Sequence, residues 1–410
     1  MVRPQPAGFT FNCWNSPPPH RFCNRFTPCL IKDVSTGIRY VSQKVYFQTA
    51  NGSTSLVNAL GLPPGESMVL RITGPLGDGF WARALILLAH SWWAERVGVP
   101  IEVKYASRLD TYFDSSFWRC SNRSFECSQL SSQVRDGFSQ YFQPIHADKS
   151  AGSGRSTLLQ LDCLAAARVY EQQASVTRDS FDAAGQQRAH RAAAVARLLR
   201  PRRKFERAAD SFWSAHFVPG QKVLGVHLRG TDKIQTIDGP SRYMLLIRAF
   251  LCKYEHAAVF VATDDERMLS RVRMLIRNVS SHTQVAFTNA TRSHSALNAG
   301  VHATHPAYLL NYTADPPSKL GSDSLLDTLL LARADFLLKS FSTVSEMAIY
   351  FNLRLHNNSF DFDLDRSARK RGNPRHPKPA WSGACRVKKS SAEVACDRQV
   401  ESSVIDCAYT

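Results

Sequence analysis

Short, nearly unbroken apolar segments alternate with helix-like segments along this chain, and this alternation constrains the fold more than any other feature. The clearest apolar segments are 222–229 and 257–263. Similar segments lie at 67–74, 100–105 and 335–339. Unbroken apolar strands are typical of parallel sheets whose two faces are both covered by helices. The sequence therefore predicts an α/β fold built on parallel strands.

Helices are predicted between these strands. Residues 79–97 are rich in Ala, Leu and Trp, and they predict the helix of a βαβ unit. From about 157 to 215 the pattern is helical. Pro201 divides it into two helices, because proline breaks a helix interior. Another helix follows Asp265 and continues to about residue 277.

Two segments match the capping box, in which a Ser or Thr is followed three residues later by an acidic residue. Ser324 and Asp327 form the first, which predicts a helix that continues to Arg333. Thr343 and Glu346 form the second, which predicts the start of the next helix. We expect these helices to belong to the second of two Rossmann-like domains that face a cleft.

Four parts are predicted along the chain. Residues 1–65 are an N-terminal extension, and 66–215 form an N-terminal Rossmann-like domain whose loops line the acceptor side. Residues 216–365 form the C-terminal Rossmann-like domain. Residues 366–410 are a basic tail that contains cysteines.

The balance of charges limits the partners. Lys and Arg number 51 against 34 Asp and Glu, which gives a net charge of +17. This excess fits anionic partners, and it fits an ordinary solvated basic surface equally well. The charge is diffuse and no nucleic-acid-binding module is recognisable, so no nucleic-acid partner is predicted. The acidic segment 361–365 is interpreted as a solvated loop rather than a metal site.

Cysteines and glycosylation motifs bear on the compartment. The ten cysteines include no C-x-x-C, so disulfides are favoured over a metal site. Cys163 and Cys252 lie in apolar, helical contexts and are interpreted as buried thiols. Six N-x-Ser/Thr motifs favour the Golgi or ER lumen, beginning at Asn51, Asn122, Asn278, Asn289, Asn311 and Asn357.

The N-terminal residues contain no apolar segment of the kind that a signal peptide or a membrane anchor needs. No run of about 20 apolar residues occurs elsewhere. We therefore expect membrane attachment only through an N-terminal anchor that this chain lacks.

Three candidate binding segments follow predicted strands. His227 and Arg229 are two residues apart at a strand end, where an Arg can form two charge-assisted hydrogen bonds to a phosphate. Asp264 and Asp265 follow the next strand. One of the two is expected to cap a helix, which leaves the other to accept hydrogen bonds from a guanine edge or a ribose. The alternative for Arg229 is an ion pair with Asp232.

The third segment, 339–343, precedes a helix N-terminus, which is a ready anion site. Ser340, Ser342 and Thr343 add hydroxyl donors, more than one helix cap needs. A weaker candidate is the turn that contains Gly77 and Gly79, where a ligand can approach the backbone.

From Val226 to Lys233 the sequence resembles the first signature of the α1,6-fucosyltransferases, a family that includes the rhizobial nodulation enzymes and their protein O-fucosyltransferase relatives. Residues 262–265 resemble the second signature. Residues 326–327, 334–337 and 340–342 resemble the third. The resemblance extends over about 215–360 and does not include the chain ends.

The resemblance implies a GT-B-like fold and an inverting transfer of fucose from GDP-fucose to a glycan or glycoprotein hydroxyl, with no metal and no other cofactor. By motif position, Arg229 binds the β-phosphate, and His227 and Asp264 contact the guanosine. The turn at 340–343 binds the diphosphate. Gly77 and Gly79 occupy the place of the family's first Gly-rich turn, which makes them donor-binding candidates.

The chain departs from the family pattern at two positions. The core α1,6 enzymes have a Glu a few residues after the first signature. This chain has Ile237 near that place, and the adjacent Asp238 is the candidate base. Gly230 replaces a second Arg. Two alternatives remain, namely a transferase that uses another nucleotide sugar and an inactive relative that binds glycans or polyanions.

Overall fold

The protein is described here by a computed structural model. Its described residues are chiefly 80–96, 141–143, 181–230, 240–292 and 317–362 except 341, together with short strands and a few single positions elsewhere. Two compact units are present. The first comprises 1–112, 119–176 and 197–200, and the second comprises 113–118, 177–196 and 201–410. This division differs from the predicted boundary after residue 215, because most of 181–216 belongs to the second unit.

The first unit contains a five-stranded sheet and a long helix. Its elements are β1 Lys32–Asp33, β2 Ile38–Val41, β3 Ser67–Ile72, α1 Phe80–Arg96, β4 Ile101–Val103 and β5 Ser156–Leu161. The strand order is β1-β2-β5-β3-β4, and every pair except β1–β2 is parallel. The parallel pairing of β3 with β4, with α1 between them in sequence, confirms the predicted βαβ unit.

The prediction of a helix from residue 157 is wrong at its start. Ser156–Leu161 is a strand, and it pairs with β2 on one side and β3 on the other. A short apolar run fits a buried strand and a buried helix equally well by its pattern. Residues 156–161 form a strand because they pair with two neighbouring strands, which the local sequence does not reveal.

The second unit has its own sheet with helices between the strands. In chain order it has α2 Phe181–Leu198, whose last two residues belong to the first unit, α3 Arg203–His216, β6 Val223–Leu228, α4 Pro240–Lys253, β7 Ala258–Thr263, α5 Glu266–Val279, β8 Gln284–Ala286, α6 Pro317–Arg333, β9 Phe336–Lys339, α7 Thr343–Phe351, a 3₁₀ helix Leu353–His356 and β10 Ser359–Asp361. The strand order is β10-β9-β6-β7-β8, and all pairs are parallel. A two-stranded ribbon follows, β11 Cys385–Arg386 and β12 Ala395–Cys396.

Helices pack on both faces of this parallel sheet, as the unbroken apolar strands predict. All six residues of β6 and of β7 are buried. On one face, residues such as Leu224 pack against α4 and α5. On the other, residues such as Val223 pack against α3, α6 and α7. Pro201 separates α2 from α3, which confirms the predicted break.

The caps of both predicted capping boxes are wrong, although α6 ends at Arg333 and α7 begins at Thr343 as predicted. The helix α6 begins at Pro317, and Ser324 lies inside it, where its carbonyl oxygen accepts a hydrogen bond from Thr328 Oγ1 at 2.7 Å. The cap of α7 is Ser342, one residue before the predicted Thr343. In both boxes the acidic residue is buried, so it contacts the interior instead of the helix end.

Two further expectations are corrected. The predicted solvated loop begins with Asp361 in β10, and Asp361, Phe362 and Asp365 are all buried. Charged partners in the interior, described below, stabilise Asp361 there. Cys252, expected as a buried thiol, is disulfide-bonded. Within the described part of the chain, no helix has both the length and the apolar character that crossing a bilayer requires.

Candidate functional site

The carboxyl edge of the second sheet brings the three predicted binding segments together. Arg229 follows β6, Asp264 follows β7, and Ser340 follows β9. These three strands are adjacent and parallel, so their carboxyl ends lie at one edge. Ligands of open α/β sheets bind at this edge.

His227 is the most unusual side chain at the edge. It is 6% exposed, and its Nδ1 atom has no hydrogen-bond partner among the described residues. Burial, together with the positive charges of Arg229 and Lys339, lowers the pKa of His227 to about 3. The imidazole is therefore neutral at physiological pH, with a ring nitrogen available for a polar ligand.

Arg229 directly follows β6 and is half-buried. Its charge contributes to the lowered pKa of His227, so the guanidinium lies within electrostatic reach of that imidazole. A half-buried guanidinium at a strand end can donate two hydrogen bonds to one phosphate. The phosphate-binding role of Arg229 stays a prediction.

The two neighbouring aspartates have different tasks. Asp265 caps α5, since its Oδ1 accepts hydrogen bonds from the backbone N–H groups of Arg267 at 2.8 Å and Met268 at 3.2 Å. Asp264 takes no part in that cap, and its Oδ1 accepts a hydrogen bond from the Gly230 N–H at 2.8 Å. One aspartate therefore caps, as expected. The other connects the turn after β6 to the end of β7.

Gly230 lies too close to α5 for a larger residue. A Cβ atom at this position would lie 2.5 Å from the Cβ of Asp265 and 2.9 Å from the Sδ of Met268. Gly230 is thus packed against the start of α5, and any larger residue there would require that helix start to shift.

The segment after β9 ends in a well-formed helix start. Ser340 and Ser342 are buried, and Ser342 Oγ accepts a hydrogen bond from the Val344 N–H at 3.3 Å. Ser345 Oγ donates to the carbonyl oxygen of Ser342 at 3.2 Å. Thr343, the first residue of α7, is half-buried. The N–H groups of a first helical turn and the helix dipole favour an anion.

Asp327 is a buried carboxyl that sequence reasoning assigned to a helix cap. Its Oδ1 accepts a hydrogen bond from Thr288 Oγ1 at 2.6 Å, just beyond the carboxyl end of β8. Burial raises the pKa of Asp327 to about 7, although Thr288 and Arg292 oppose the shift. In the sequence, Asp327 is the fourth residue of a predicted capping box and part of the segment that resembles the third signature. Neither pattern separates a helix cap from a site residue.

Three predicted site residues, Gly77, Gly79 and Asp238, lie outside the described residues. Among the side chains that the structure does describe, no group of three or more His, Cys, Asp or Glu is arranged to bind a metal ion. The described site therefore consists of one neutral imidazole, one guanidinium, one carboxylate and one helix start.

Comparison with known proteins gives structural similarity alone. No family model and no curated protein matches the sequence. A NodZ α-1,6-fucosyltransferase structure, soaked with GDP-fucose, is 18% identical, with 70% of this chain and 93% of that chain covered and a TM-score of 0.35. NodZ is from Bradyrhizobium.

Two further fucosyltransferase structures are similar to this chain. Arabidopsis thaliana FUT1, as a mutant in complex with GDP, is 12% identical over 75% of this chain and 71% of that chain, with a TM-score of 0.38. POFUT1 in complex with GDP is 10% identical over 73% and 99%, with a TM-score of 0.40. Similarity at these values assigns no role to any residue of this chain.

Proposed function

We propose that the chain is a glycosyltransferase that moves fucose from GDP-fucose to a hydroxyl group of a glycan or glycoprotein, with inversion and without a metal. The proposal includes a GT-B-like fold with two Rossmann-like domains. The observation that carries it is the buried, neutral His227 beside Arg229. Both residues lie in the segment that resembles the family's donor-binding signature.

The donor site is proposed at the carboxyl edge of the second sheet. The Nδ1 of His227, which lacks a partner among the described residues, contacts the guanosine. Arg229 and the first turn of α7 bind the diphosphate, with Ser340, Ser342 and Thr343 as further donors. Asp264 contacts the guanosine while its Oδ1 accepts from Gly230. Gly77 and Gly79 belong to the first unit, and their donor-binding role rests on the resemblance of the sequence alone.

The reaction breaks the bond between the fucose anomeric carbon and the β-phosphate oxygen. Charge grows on the departing GDP while the sugar becomes oxocarbenium-like. Arg229 and the N–H groups at the start of α7 stabilise the departing charge, which is the task that a metal ion has in other transferases. The acceptor oxygen forms the new bond on the opposite face of the sugar and loses its proton to a base.

Asp238 is the proposed base. Asp238→Asn removes the proton acceptor and keeps the size of the side chain, so turnover should fall by at least about 10²-fold while GDP affinity stays the same. Turnover with saturating acceptor and calorimetry with GDP measure the two effects. Unchanged turnover would exclude Asp238 as the base.

The test of the donor is calorimetric titration of the purified chain with GDP, UDP, ADP and GDP-fucose in the presence of EDTA. We expect binding of GDP and GDP-fucose and none of UDP or ADP. Selective binding of another nucleotide would favour a transferase with another sugar donor. No nucleotide binding by folded protein would favour an inactive relative that binds glycans or polyanions. Loss of binding in EDTA, with recovery on adding Mn²⁺, would exclude the metal-independent site.

A further inference from the structure

Four buried charged side chains form a network at the carboxyl ends of β9 and β10. Arg188 donates to Glu346 through two atoms, with Nη2 at 2.6 Å from Oε1 and Nε at 3.1 Å from Oε2. Lys339 Nζ lies 2.7 Å from Glu346 Oε1 and donates to Asp361 Oδ2. Arg188 Nη2 lies 3.5 Å from Asp361 Oδ2, so each cation contacts both carboxylates.

The network is charge-balanced, with two cations and two carboxylates. Burial alone would raise the pKa of Glu346, but Arg188 and Lys339 lower it well below its ordinary value. Burial alone would lower the pKa of Lys339, but Asp361 and Glu346 raise it. All four groups are therefore charged at physiological pH, and the network has no net charge.

The network connects directly to the helix start of the candidate site. Lys339 is the residue before Ser340. Glu346 lies in the first turn of α7, and its backbone N–H donates to the carbonyl oxygen of Ser342 at 3.1 Å. Since Arg188 and Lys339 fix the carboxylate of Glu346, they also fix the first turn of α7 relative to β9.

Helix α2 lies close to His356, and this contact brings Arg188 into the network. Arg188 Nη1 lies 3.0 Å from His356 Nδ1. One turn earlier in α2, a Cβ at Gly185 would lie 2.6 Å from His356 Nε2. The glycine thus leaves room for the His356 ring where α2 brings Arg188 to the network.

We propose that Arg188, Lys339, Glu346 and Asp361 are positioning residues that set the orientation of the α7 start for a nucleoside diphosphate. This inference rests on the proposed function. Buried ion pairs are weak evidence for stability, because apolar residues of similar volume often replace them without loss. What the charged network adds, and apolar residues here would not, is a hydrogen-bonded carboxylate of Glu346 that fixes the orientation of the backbone N–H groups in the first turn of α7.

Glu346→Gln distinguishes positioning from a simple charge effect. The substitution removes one negative charge near the proposed phosphate site, so a pure charge effect would strengthen GDP binding. Positioning predicts the opposite sign, because the amide no longer fixes the helix start against two cations. We expect GDP affinity to fall at least 10-fold in calorimetry, with KM for GDP-fucose raised more than kcat is lowered.

Arg188→Lys is the second variant and covers the case in which Glu346→Gln does not fold. It keeps every charge and loses the guanidinium geometry, namely the two-point contact with Glu346 and the contact of Nη1 with His356. Positioning predicts GDP binding several-fold weaker, whereas a pure charge effect predicts no change. Asp210→Asn is the matched control, because Asp210 forms an exposed ion pair with Arg333 at 2.6 Å. It should bind GDP as the unchanged chain does.

Circular dichroism verifies that each variant is folded before titration. Equal or tighter GDP binding by folded Glu346→Gln, or unchanged binding by Arg188→Lys when the first variant does not fold, overturns the positioning role and leaves the proposed function in place. Absence of GDP binding by the unchanged chain is a different result. It overturns the proposed function and the positioning role together.

Discussion

At the scale of single residues, His227 and Arg229 have complementary electrostatic properties. His227 is buried and neutral, whereas Arg229 carries a charge at the same strand end. A neutral ring suits a nucleobase, and a guanidinium suits a phosphate. Sequence spacing placed the two side chains together, but only the tertiary structure, through burial and two nearby cations, determined the protonation state of His227.

Arg229→Ala removes the proposed stabilisation of the departing diphosphate. We expect kcat/KM for GDP-fucose to fall by at least ~10²-fold, or about 3 kcal/mol of transition-state stabilisation. Steady-state kinetics on the folded variant measure the effect. Arg333→Ala, at an exposed ion pair far along the chain, is the control and should leave kcat/KM unchanged. Near-normal kcat/KM in Arg229→Ala contradicts the phosphate role.

Asp327 predicts a pH dependence with a definite sign. Its native pKa of about 7 lies above the ordinary value of 3.8. The native state therefore binds this proton more tightly than the unfolded state, so the stabilisation is complete below pH 3.8 and is lost as pH rises towards 7. The free energy involved is about 1.4 kcal/mol for each pH unit in this window.

Asp327→Asn removes this titration, while its amide oxygen can still accept the hydrogen bond from Thr288. We expect the free energy of unfolding of the variant, relative to the unchanged chain, to increase between pH 4 and pH 7. Urea unfolding at both pH values measures the difference, and the titration of His227 cancels because both proteins contain it. A difference that is constant with pH contradicts the raised pKa.

At the scale of elements, the position of the residues that directly follow β6 depends on their contact with α5. The Gly230 N–H donates to Asp264, and the Gly230 Cα packs against the cap of α5. The end of β6, the end of β7 and the start of α5 are thereby fixed to one another. Arg229, the proposed phosphate-binding residue, directly precedes this junction.

Gly230→Ala should disturb this junction. The added methyl group would overlap Asp265, so the free energy of unfolding should fall by about 1–3 kcal/mol and GDP affinity should fall with it. Chemical denaturation and calorimetry measure both quantities. The control is Gly220→Ala, where φ is 80° and no atom lies within 4 Å of the added Cβ. That variant should lose stability by about 1 kcal/mol through backbone strain and bind GDP normally.

A Gly230→Ala variant with unchanged stability would show that α5 yields easily to the methyl group.

At the scale of the whole molecule, the glycosylation motifs fall on different edges of the second sheet. Asn278, at the end of α5, and Asn357, just before β10, are exposed near the amino ends of the strands. Asn289 is exposed beyond the carboxyl end of β8, on the edge that carries the candidate site. A glycan at Asn278 or Asn357 would thus leave the site accessible.

The proposed location in the Golgi or ER lumen predicts N-glycans at Asn278 and Asn357. Protein secreted from animal cells should lose mass on treatment with an N-glycosidase. Replacing both residues by Gln should remove the corresponding part of that shift and leave GDP binding unchanged. Protein that reaches the secretory pathway without N-glycans at these two positions contradicts the prediction.

The sequence by itself determined the parallel strands of the second unit and the order of the candidate residues along them. Unbroken apolar runs such as 222–229 and 257–263 have few alternatives, because strands buried on two faces need them. The chain positions of His227, Arg229 and Asp264 followed directly, since ligands bind at the carboxyl ends of such strands.

Where a local sequence pattern fits both an exposed and a buried position for a charged residue, only the tertiary structure decided between the two. Glu346 and Asp327 fit helix caps by spacing, and Asp361 fits a solvated loop, yet all three are buried. Their partners come from distant segments, as Arg188 is 158 residues from Glu346. A buried carboxylate is stable only where such a partner is present, and a local pattern contains no information about it.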